Sequence, residues 1–312
     1  MARSIVVIRA IISDKNLHQY ISNLNSPERT FRLGRSAVAR SLFAALNYQG
    51  VSDAAAEGWL AKRGSPDFPR IFRWLESSQR KCSLLANTQS METCGYRKLA
   101  RTCARPGNQS RCMVPTVAAR NGRLSRAAIG LASFMLEYAP NGIPAWIEGH
   151  RQRGERNQVI ADALIAEFSL IPSVSQKVAA MLLSDLLLGA SQTKPEWFSI
   201  GAEMVVVDRI VHGVLHRTGA LKEFGVPHVY GPKCYQKHGC AAVIRKLAAL
   251  IDARKFNRSY PSYFPRLIQH GLWQHGALSE AGMCNAVRIQ AGVHCRNKNC
   301  LAFGICPKTL TQ

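Results

Sequence analysis

The chain has 312 residues, a formal net charge of +22 and a pI near 10.1. This length can bury a substantial core in one or two domains. No apolar run approaches the roughly 18 residues that a membrane-spanning helix needs. Arg9 ends the short apolar run at 4–8 before it could serve as a secretion signal. The sequence therefore predicts a protein that is not secreted, has no membrane partner, and resides in the cytoplasm (associated with the nucleoid) or in the nucleus.

The positive charge is large because acids are scarce, with 41 Lys and Arg against 19 Asp and Glu. Such a surplus favours a polyanionic partner, nucleic acid first and an acidic membrane surface second. A layer of solvated basic side chains that only keeps the protein soluble is the alternative. Nucleic acid is the expected partner, with an affinity that falls as salt rises.

Hydrophobic periodicity predicts a mainly α-helical protein without a large sheet. Ser52 or Asp53 can cap a helix after a break in the pattern. The stretch 81–115 lacks clean periodicity and is predicted to be an insertion, and 220–240 is predicted to be a Gly/Pro loop. The predicted helices are 35–48, 54–60, 124–138, 143–152, 156–168, 174–188, 205–215, 241–251 and 264–276.

Ten cysteines without a secretion signal favour metal binding over a disulfide scaffold. Four lie near the end of the chain with gaps of 10, 4 and 5 residues, looser than the tight knuckles typical of zinc, which favours an iron–sulfur cluster. These four are Cys284, Cys295, Cys300 and Cys306. Four more in the insertion predict either a second metal site, iron–sulfur or zinc, or ordinary thiols in a surface loop. They are Cys82, Cys94, Cys103 and Cys112. Cys234 and Cys240, which flank His238, either pack in the core or exchange with one of these sites.

A lysine and an aspartate at the starts of predicted helices are the candidate catalytic residues. Lys177 follows the turn Ile-Pro-Ser-Val-Ser-Gln at 171–176, and Asp208 begins the segment Asp-Arg-Ile-Val-His at 208–212. A buried lysine can act as an amine nucleophile, and a carboxylate can stabilise positive charge that develops on a substrate. Taken singly, Lys177 could instead contact a phosphate, and Asp208 could serve only as an N-cap.

Together these segments resemble the helix-hairpin-helix (HhH-GPD) DNA glycosylases of the endonuclease III type. Residues 171–177 are similar to that family's hairpin, Leu-Pro-Gly-Val-Gly-x-Lys, with serine in place of both glycines. Residues 207–211 are similar to its Val-Asp-x-x-Val segment, and 270–306 to the helix and four-cysteine loop of its iron–sulfur cluster. The resemblance covers 125–306 well and 35–62 weakly.

The resemblance implies a mainly α, two-lobed helical fold with a C-terminal [4Fe–4S] loop, in a monomer that binds double-stranded DNA. Residues 1–34 would pack with the cluster domain 205–312, and 35–204 would form a helical barrel that carries the hairpin and the cysteine insertion. Lys177 would attack the sugar of a flipped-out nucleotide to form a Schiff base, and Asp208 would stabilise the transition state. These roles describe a DNA N-glycosylase with abasic-site lyase activity that excises a modified base. DNA contacts are expected at Gln49, Ser173, Ser175, Gln176, Arg296 and Lys298.

Two other functions stay open at the level of sequence. A catalytically silent iron–sulfur protein that binds DNA or RNA would account for the loss of both hairpin glycines. A glycosylase that excises an undamaged or modified base, in defence or in epigenetic control, would use the same two catalytic residues. No motif in the chain identifies the base.

Overall fold

The computed structural model of the chain describes residues 2–12, 24, 27–48, 51, 53–77, 82, 85, 87–97, 99–103, 112–190, 193–277, 284 and 292–310. Within these ranges the secondary structure is helical, and the β pairing is limited to an isolated bridge between Arg97 and Thr102. The predicted mainly α class is confirmed. None of the helices in these ranges combines the length and apolarity needed to cross a bilayer.

The chain divides into two compact units. The central unit is Ser26–Leu183, and the terminal unit joins Met1–Asn25 to Ser184–Gln312. The helices that begin in the central unit are α2 (Glu28–Arg32), α3 (Arg35–Leu46), α4 (Asp53–Arg63), α5 (Phe68–Glu76), α6 (Gly122–Glu137), α7 (Ile143–Arg151), α8 (Asn157–Phe168) and α9 (Gln176–Gly189). The helices of the terminal unit are α1 (Ala2–Ile12), α10 (Pro195–Glu203), α11 (Arg209–Arg217), α12 (Ala220–Glu223), α13 (Cys240–Leu250) and α14 (Pro265–Ala277).

The core of the central unit is organised around α6, which is buried along most of its length. The side chain of Asn121 caps this helix by accepting a hydrogen bond from the Leu124 N–H at 2.9 Å. Phe134 packs edge-on against Trp146 of α7 and Phe168 of α8, with ring centroids 5.2 and 5.3 Å away. Aromatic burial near the C-terminal end of α6 thus holds three helices together.

Glu167 satisfies two buried donors beside this aromatic cluster. Its Oε2 accepts a hydrogen bond from Trp146 Nε1 at 2.8 Å and lies 3.1 Å from His150 Nε2. His150 is 4% exposed, so its ring depends on this carboxylate for a polar partner on that side.

The terminal unit is closed by α1, which packs against α12 and α14. Its apolar face is buried in the same core as α11, α13 and α14. Three polar contacts fix its polar side. The Ser4 N–H donates to Glu223 Oε2 at 2.9 Å, Arg3 Nε donates to the Ile305 carbonyl at 3.1 Å, and Arg9 Nη2 donates to the Leu250 carbonyl at 3.0 Å.

Several elements differ from the sequence-based prediction. The helix predicted over 205–215 begins only at Arg209, because the valines that precede it are buried in an extended segment. The predicted loop 220–240 contains α12 and a 3₁₀ helix, Pro232–Tyr235. No helix was predicted at α1, α2, α5 or α10, although α5 is strongly amphipathic and buries Phe68, Phe72 and their apolar neighbours.

Candidate catalytic residues and metal centres

The hairpin predicted from residues 171–177 is a tight turn between α8 and α9. Ser173, which stands at the first glycine position of the resembled motif, has a φ of +70°. This is the left-handed region that glycine adopts without cost and that other residues rarely enter. Ile171 and Val174 on either side are buried, and the Val174 N–H donates to the Ile171 carbonyl at 3.0 Å. The backbone shape that usually calls for glycine is therefore kept by a serine.

Close packing holds this turn against α6. Pro172 lies so close to Gly130 that a Cβ at position 130 would overlap its ring. Gly130 is thus the residue on α6 that allows the hairpin to approach, since any larger side chain would displace the proline.

Lys177 is the second residue of α9 and is half-buried. Ser175, just before the helix, offers its Oγ as an acceptor to the Val178 N–H at 3.5 Å. Its own carbonyl accepts from the Ala179 N–H at 2.9 Å, so Ser175 occupies the N-cap position. The second hairpin serine therefore begins the helix that carries Lys177.

Asp208 is the N-cap of α11, and its Oδ1 accepts a hydrogen bond from the Val211 N–H at 2.8 Å. The residue before it is also fixed, because the Tyr235 hydroxyl accepts from the Val207 N–H at 2.9 Å and donates to the Val207 carbonyl at 3.0 Å. Burial, and next the negative charge of Asp208, raise the pKa of the Tyr230 hydroxyl. Asp208 belongs to the terminal unit, and Lys177 belongs to the central unit.

A compact set of two histidines and two cysteines lies next to Asp208 on the same unit. His212 is one turn after Asp208 on α11, and Cys240 begins α13. His228 and Cys234 come from the segment between these helices. One ligand atom from each of the four side chains lies within 4.8 Å of the others. No other set of three or more His, Cys, Asp or Glu side chains in the described ranges comes together as closely.

Three close contacts in this set each join an imidazole nitrogen to a thiol sulfur. His212 Nδ1 is 3.2 Å from Cys240 Sγ and 3.6 Å from Cys234 Sγ, and His228 Nε2 is 3.4 Å from Cys240 Sγ. Both cysteines are fully buried, and His212 is 8% exposed. The arrangement is that of a site for one ion, which the sequence interpretation of Cys234 and Cys240 did not specify.

A side-chain hydrogen bond links the two thiols of the set. The hydrogen bond from Cys240, and then those that involve His212 and His228, lower the pKa of the Cys234 thiol well below its usual range despite burial. The same bond to Cys234, and next burial, raise the pKa of the Cys240 thiol above its usual range. One thiolate is therefore stabilised by the neighbouring side chains alone.

The four cysteines near the end of the chain lie within electrostatic range of one another elsewhere in the terminal unit. Burial, and next the other three thiols, raise the pKa of the Cys284 thiol to about 12. Cys306 Sγ lies 3.6 Å from the Arg217 carbonyl, and Cys300 Sγ lies 3.8 Å from His275 Nε2. Buried thiols of this kind bind metal as thiolates, so a positive cofactor would have to replace their protons.

The four cysteines of the insertion also come within electrostatic range of one another. Burial is the main reason that the pKa of the Cys112 thiol is raised to about 11, and the thiols of Cys94, Cys103 and Cys82 contribute to this increase. The segment is attached to α6 at two points. Arg126 Nη1 donates to the Cys94 carbonyl, and Glu137 Oε2 accepts from the Thr88 N–H at 2.9 Å and from the Thr88 hydroxyl at 2.7 Å.

The remaining predicted DNA contacts are surface residues. Gln176 is exposed at the start of α9, and Arg296 and Lys298 are exposed in the C-terminal cysteine loop. Gln49, another of the predicted DNA contacts, lies outside the described residues.

Comparison with known proteins adds no information on these sites. No protein-family model, curated protein or solved structure matches the chain.

Proposed function

We propose that this protein is a DNA glycosylase with abasic-site lyase activity, which acts on a flipped-out nucleotide in double-stranded DNA. The observation that carries the proposal is the left-handed φ of Ser173 in the turn that leads to Lys177. Loss of both hairpin glycines was the main departure from the resembled motif. The departure matters less when the serine keeps the backbone shape that glycine would provide.

The turn and the start of α9 suit a phosphate contact. The first N–H groups of a helix have no partners within it, and they point along the axis toward the approaching ligand. Ser175 and Gln176 are exposed at this end, so a DNA backbone could reach them. Phosphate contacts of this kind position a duplex without reading its sequence.

Lys177 would provide the nucleophile. Its neutral amine attacks the anomeric carbon of the extruded nucleotide as the glycosidic bond breaks, and the base leaves with the bonding electrons and takes up a proton. The nitrogen then loses a proton as the sugar ring opens to a Schiff base. Loss of a proton from the adjacent sugar carbon and departure of the 3′ phosphate would complete strand cleavage.

Asp208 would stabilise the positive charge that develops on the sugar. Its Oδ1 already accepts a hydrogen bond from the Val211 N–H. The Tyr235 hydroxyl bonds to both the N–H and the carbonyl of the preceding residue, Val207. A carboxylate that is positioned before the substrate arrives needs little reorganisation during the reaction.

The cysteine loop fits a structural [4Fe–4S] cluster held by Cys284, Cys295, Cys300 and Cys306. Each iron at a corner of such a cluster binds one thiolate, so its four sulfurs stand further apart than those around a single ion. The looser grouping of these cysteines, compared with the set at His212, agrees with that requirement. The cluster would hold the loop in place, and Arg296 and Lys298 on that loop would contact DNA phosphates.

Borohydride trapping tests the proposal. The purified protein is incubated with duplexes that carry an abasic site or one of a panel of modified bases, and the Schiff base is reduced to a stable adduct. The wild type is expected to form an adduct that Lys177→Ala does not form. Lys62→Ala, which removes an exposed lysine of α4 in the same unit, is the matched control and should still be trapped.

Each other outcome changes the proposal in a defined way. Base release without an adduct would replace the lyase with a glycosylase in which Asp208 directs water. An adduct in Lys177→Ala would assign the nucleophile to another amine. Binding to every duplex without adduct or base release would identify a DNA-binding protein without catalytic activity.

A further inference from the structure

We propose that His212, His228, Cys234 and Cys240 hold one structural zinc ion, which fixes the chain segment that ends at Asp208. This site is separate from both groups of four cysteines. Neither the hairpin chemistry nor the cluster loop calls for it.

The separations of the ligand atoms suit zinc. Zn–S bonds of about 2.3 Å and Zn–N bonds of about 2.0–2.1 Å at a tetrahedral angle place sulfur and nitrogen about 3.6 Å apart. The three sulfur–nitrogen distances in the set are 3.2, 3.4 and 3.6 Å. These three pairs could therefore accommodate a single ion with shifts of a few tenths of an ångström, and all four ligand atoms lie within 4.8 Å of one another.

The ring proton of His228 is placed as it would be in a metal ligand. Its Nδ1 lies 2.7 Å from the Val226 carbonyl, an acceptor that requires the proton to be on Nδ1. The lone pair of Nε2 is thereby directed toward Cys240. A ligand histidine commonly donates its other ring N–H to a backbone carbonyl in this way, which fixes both the tautomer and the ring orientation.

The set of donors favours zinc over other ions and a structural role over a catalytic one. Two thiolates balance the charge of a divalent ion, and two imidazoles complete a tetrahedron of the Cys₂His₂ type. Catalytic zinc sites keep one position open for water, whereas four protein ligands close the shell. Burial of both cysteines would also keep solvent from the ion.

The loop between the two cysteines is shaped to bring them together. Gly239 lies so close to the backbone of Lys233 and Cys234 that a Cβ would overlap it. The Gly239 N–H donates to the Gln236 carbonyl at 2.8 Å, and the Cys234 N–H donates to the Gly231 carbonyl at 3.0 Å. The loop returns on itself between Cys234 and Cys240, which a larger residue at 239 would prevent.

The site would act on Asp208 from two directions. His212 is one helical turn after Asp208 on α11. Tyr235 follows Cys234 directly and holds Val207 through both of its backbone hydrogen bonds. An ion bound to His212 and Cys234 would therefore tie the start of α11 to the 3₁₀ helix Pro232–Tyr235, with Asp208 between the two attachments. A role in catalysis for this connection between α11 and the 3₁₀ helix rests on the proposed function, but the metal site itself does not.

Metal content of the purified full-length protein tests the site. Elemental analysis should give at least one zinc per chain in the wild type. Cys240→Ser and His228→Ala should each lose one equivalent of zinc and leave the iron content unchanged. His238→Ala is the matched control, because His238 is exposed in the same loop and is not one of the four ligands, and its zinc content should equal that of the wild type.

A conservative variant guards against loss of zinc through misfolding. His228→Cys keeps four donors, so it should retain the zinc that His228→Ala loses. X-ray absorption at the zinc edge should show one nitrogen replaced by sulfur in this variant. The readout is independent of base excision, so failure of the glycosylase proposal would leave it intact.

Three results would overturn the zinc proposal. The first is a wild-type protein without zinc, or with a disulfide between Cys234 and Cys240 under reducing conditions. The second is unchanged zinc in Cys240→Ser and His228→Ala. The third is a parallel loss of iron, which would mean that these residues belong to an iron–sulfur centre.

Discussion

Ser173→Gly should make the protein more stable, although it removes a side chain. Serine at a φ of +70° carries a backbone cost of about 1–2 kcal/mol that glycine does not. Glycine also lowers the free energy of unfolding by about 0.4–1 kcal/mol, because it gives the unfolded chain more conformational freedom. The net gain is about 0.5–1 kcal/mol, which corresponds to a rise of about 2 °C in Tm for a domain of this size.

Thermal unfolding of the full-length protein, followed by circular dichroism, measures this shift. Ser175→Gly is the matched control, since Ser175 has no positive φ and its Oγ accepts from the Val178 N–H. That change removes an N-cap and should lower stability by a few tenths of a kcal/mol. Ser173→Val should lower Tm clearly, because a β-branched residue fits the left-handed region worst.

The contrast between the two serines makes the reasoning refutable. A lower Tm for Ser173→Gly, or the same shift for both glycine variants, would show that the turn is not left-handed at 173. The hairpin would then lack the shape on which the proposed phosphate contact depends. Trapping of Ser173→Gly on abasic DNA at or above the wild-type level would accompany the expected result.

Three further changes test other parts of the structure. Glu167→Leu should cost about 1–3 kcal/mol in chemical denaturation, because it leaves the buried His150 without an acceptor. Gly130→Ala should cost about 1–3 kcal/mol, since the added methyl overlaps Pro172. Burial is the main reason that the pKa of His270 is lowered from 6.5 to about 3. Between these values only the unfolded chain binds the proton, so stability should fall as pH drops from 6.5 toward 3. In His270→Gln this slope, measured by unfolding at several pH values, should be shallower; an equal slope would contradict the assignment.

Apolar periodicity was enough to predict the helices that lie on a core. The ranges 124–138 and 156–168 nearly coincide with α6 and α8 because their apolar faces are continuous. The helix predicted from 205 begins later, since buried extended valines have the same composition as a buried helix. What separates the two conformations is the hydrogen bonding of Tyr235 to Val207, a contact across 28 residues.

The Cys₂His₂ set could not be assembled from spacing alone. Cys234 and Cys240 drew attention to His238, which lies between them but is exposed. The histidines that meet these thiols are His212, on another helix, and His228, on a loop. Such a set depends on tertiary packing, so no local pattern reveals it. The hydrogen bond between His228 Nδ1 and the Val226 carbonyl is a local feature of the set. The sequence gives only a weak signal for it.

The position of α1 sets an order in which the two units can fold during synthesis. α1 is synthesised before the central unit, but its partners α12 and α14 are synthesised only after the whole of that unit. The central unit is one continuous stretch of chain and can fold as soon as it emerges. Until α12 and α14 are synthesised, the apolar face of α1, with Val7 and Ile8 at its centre, lacks the partners that bury it in the folded protein. Burial of this face therefore has to follow the synthesis of α12 and α14, which makes it a late step in the folding of the terminal unit.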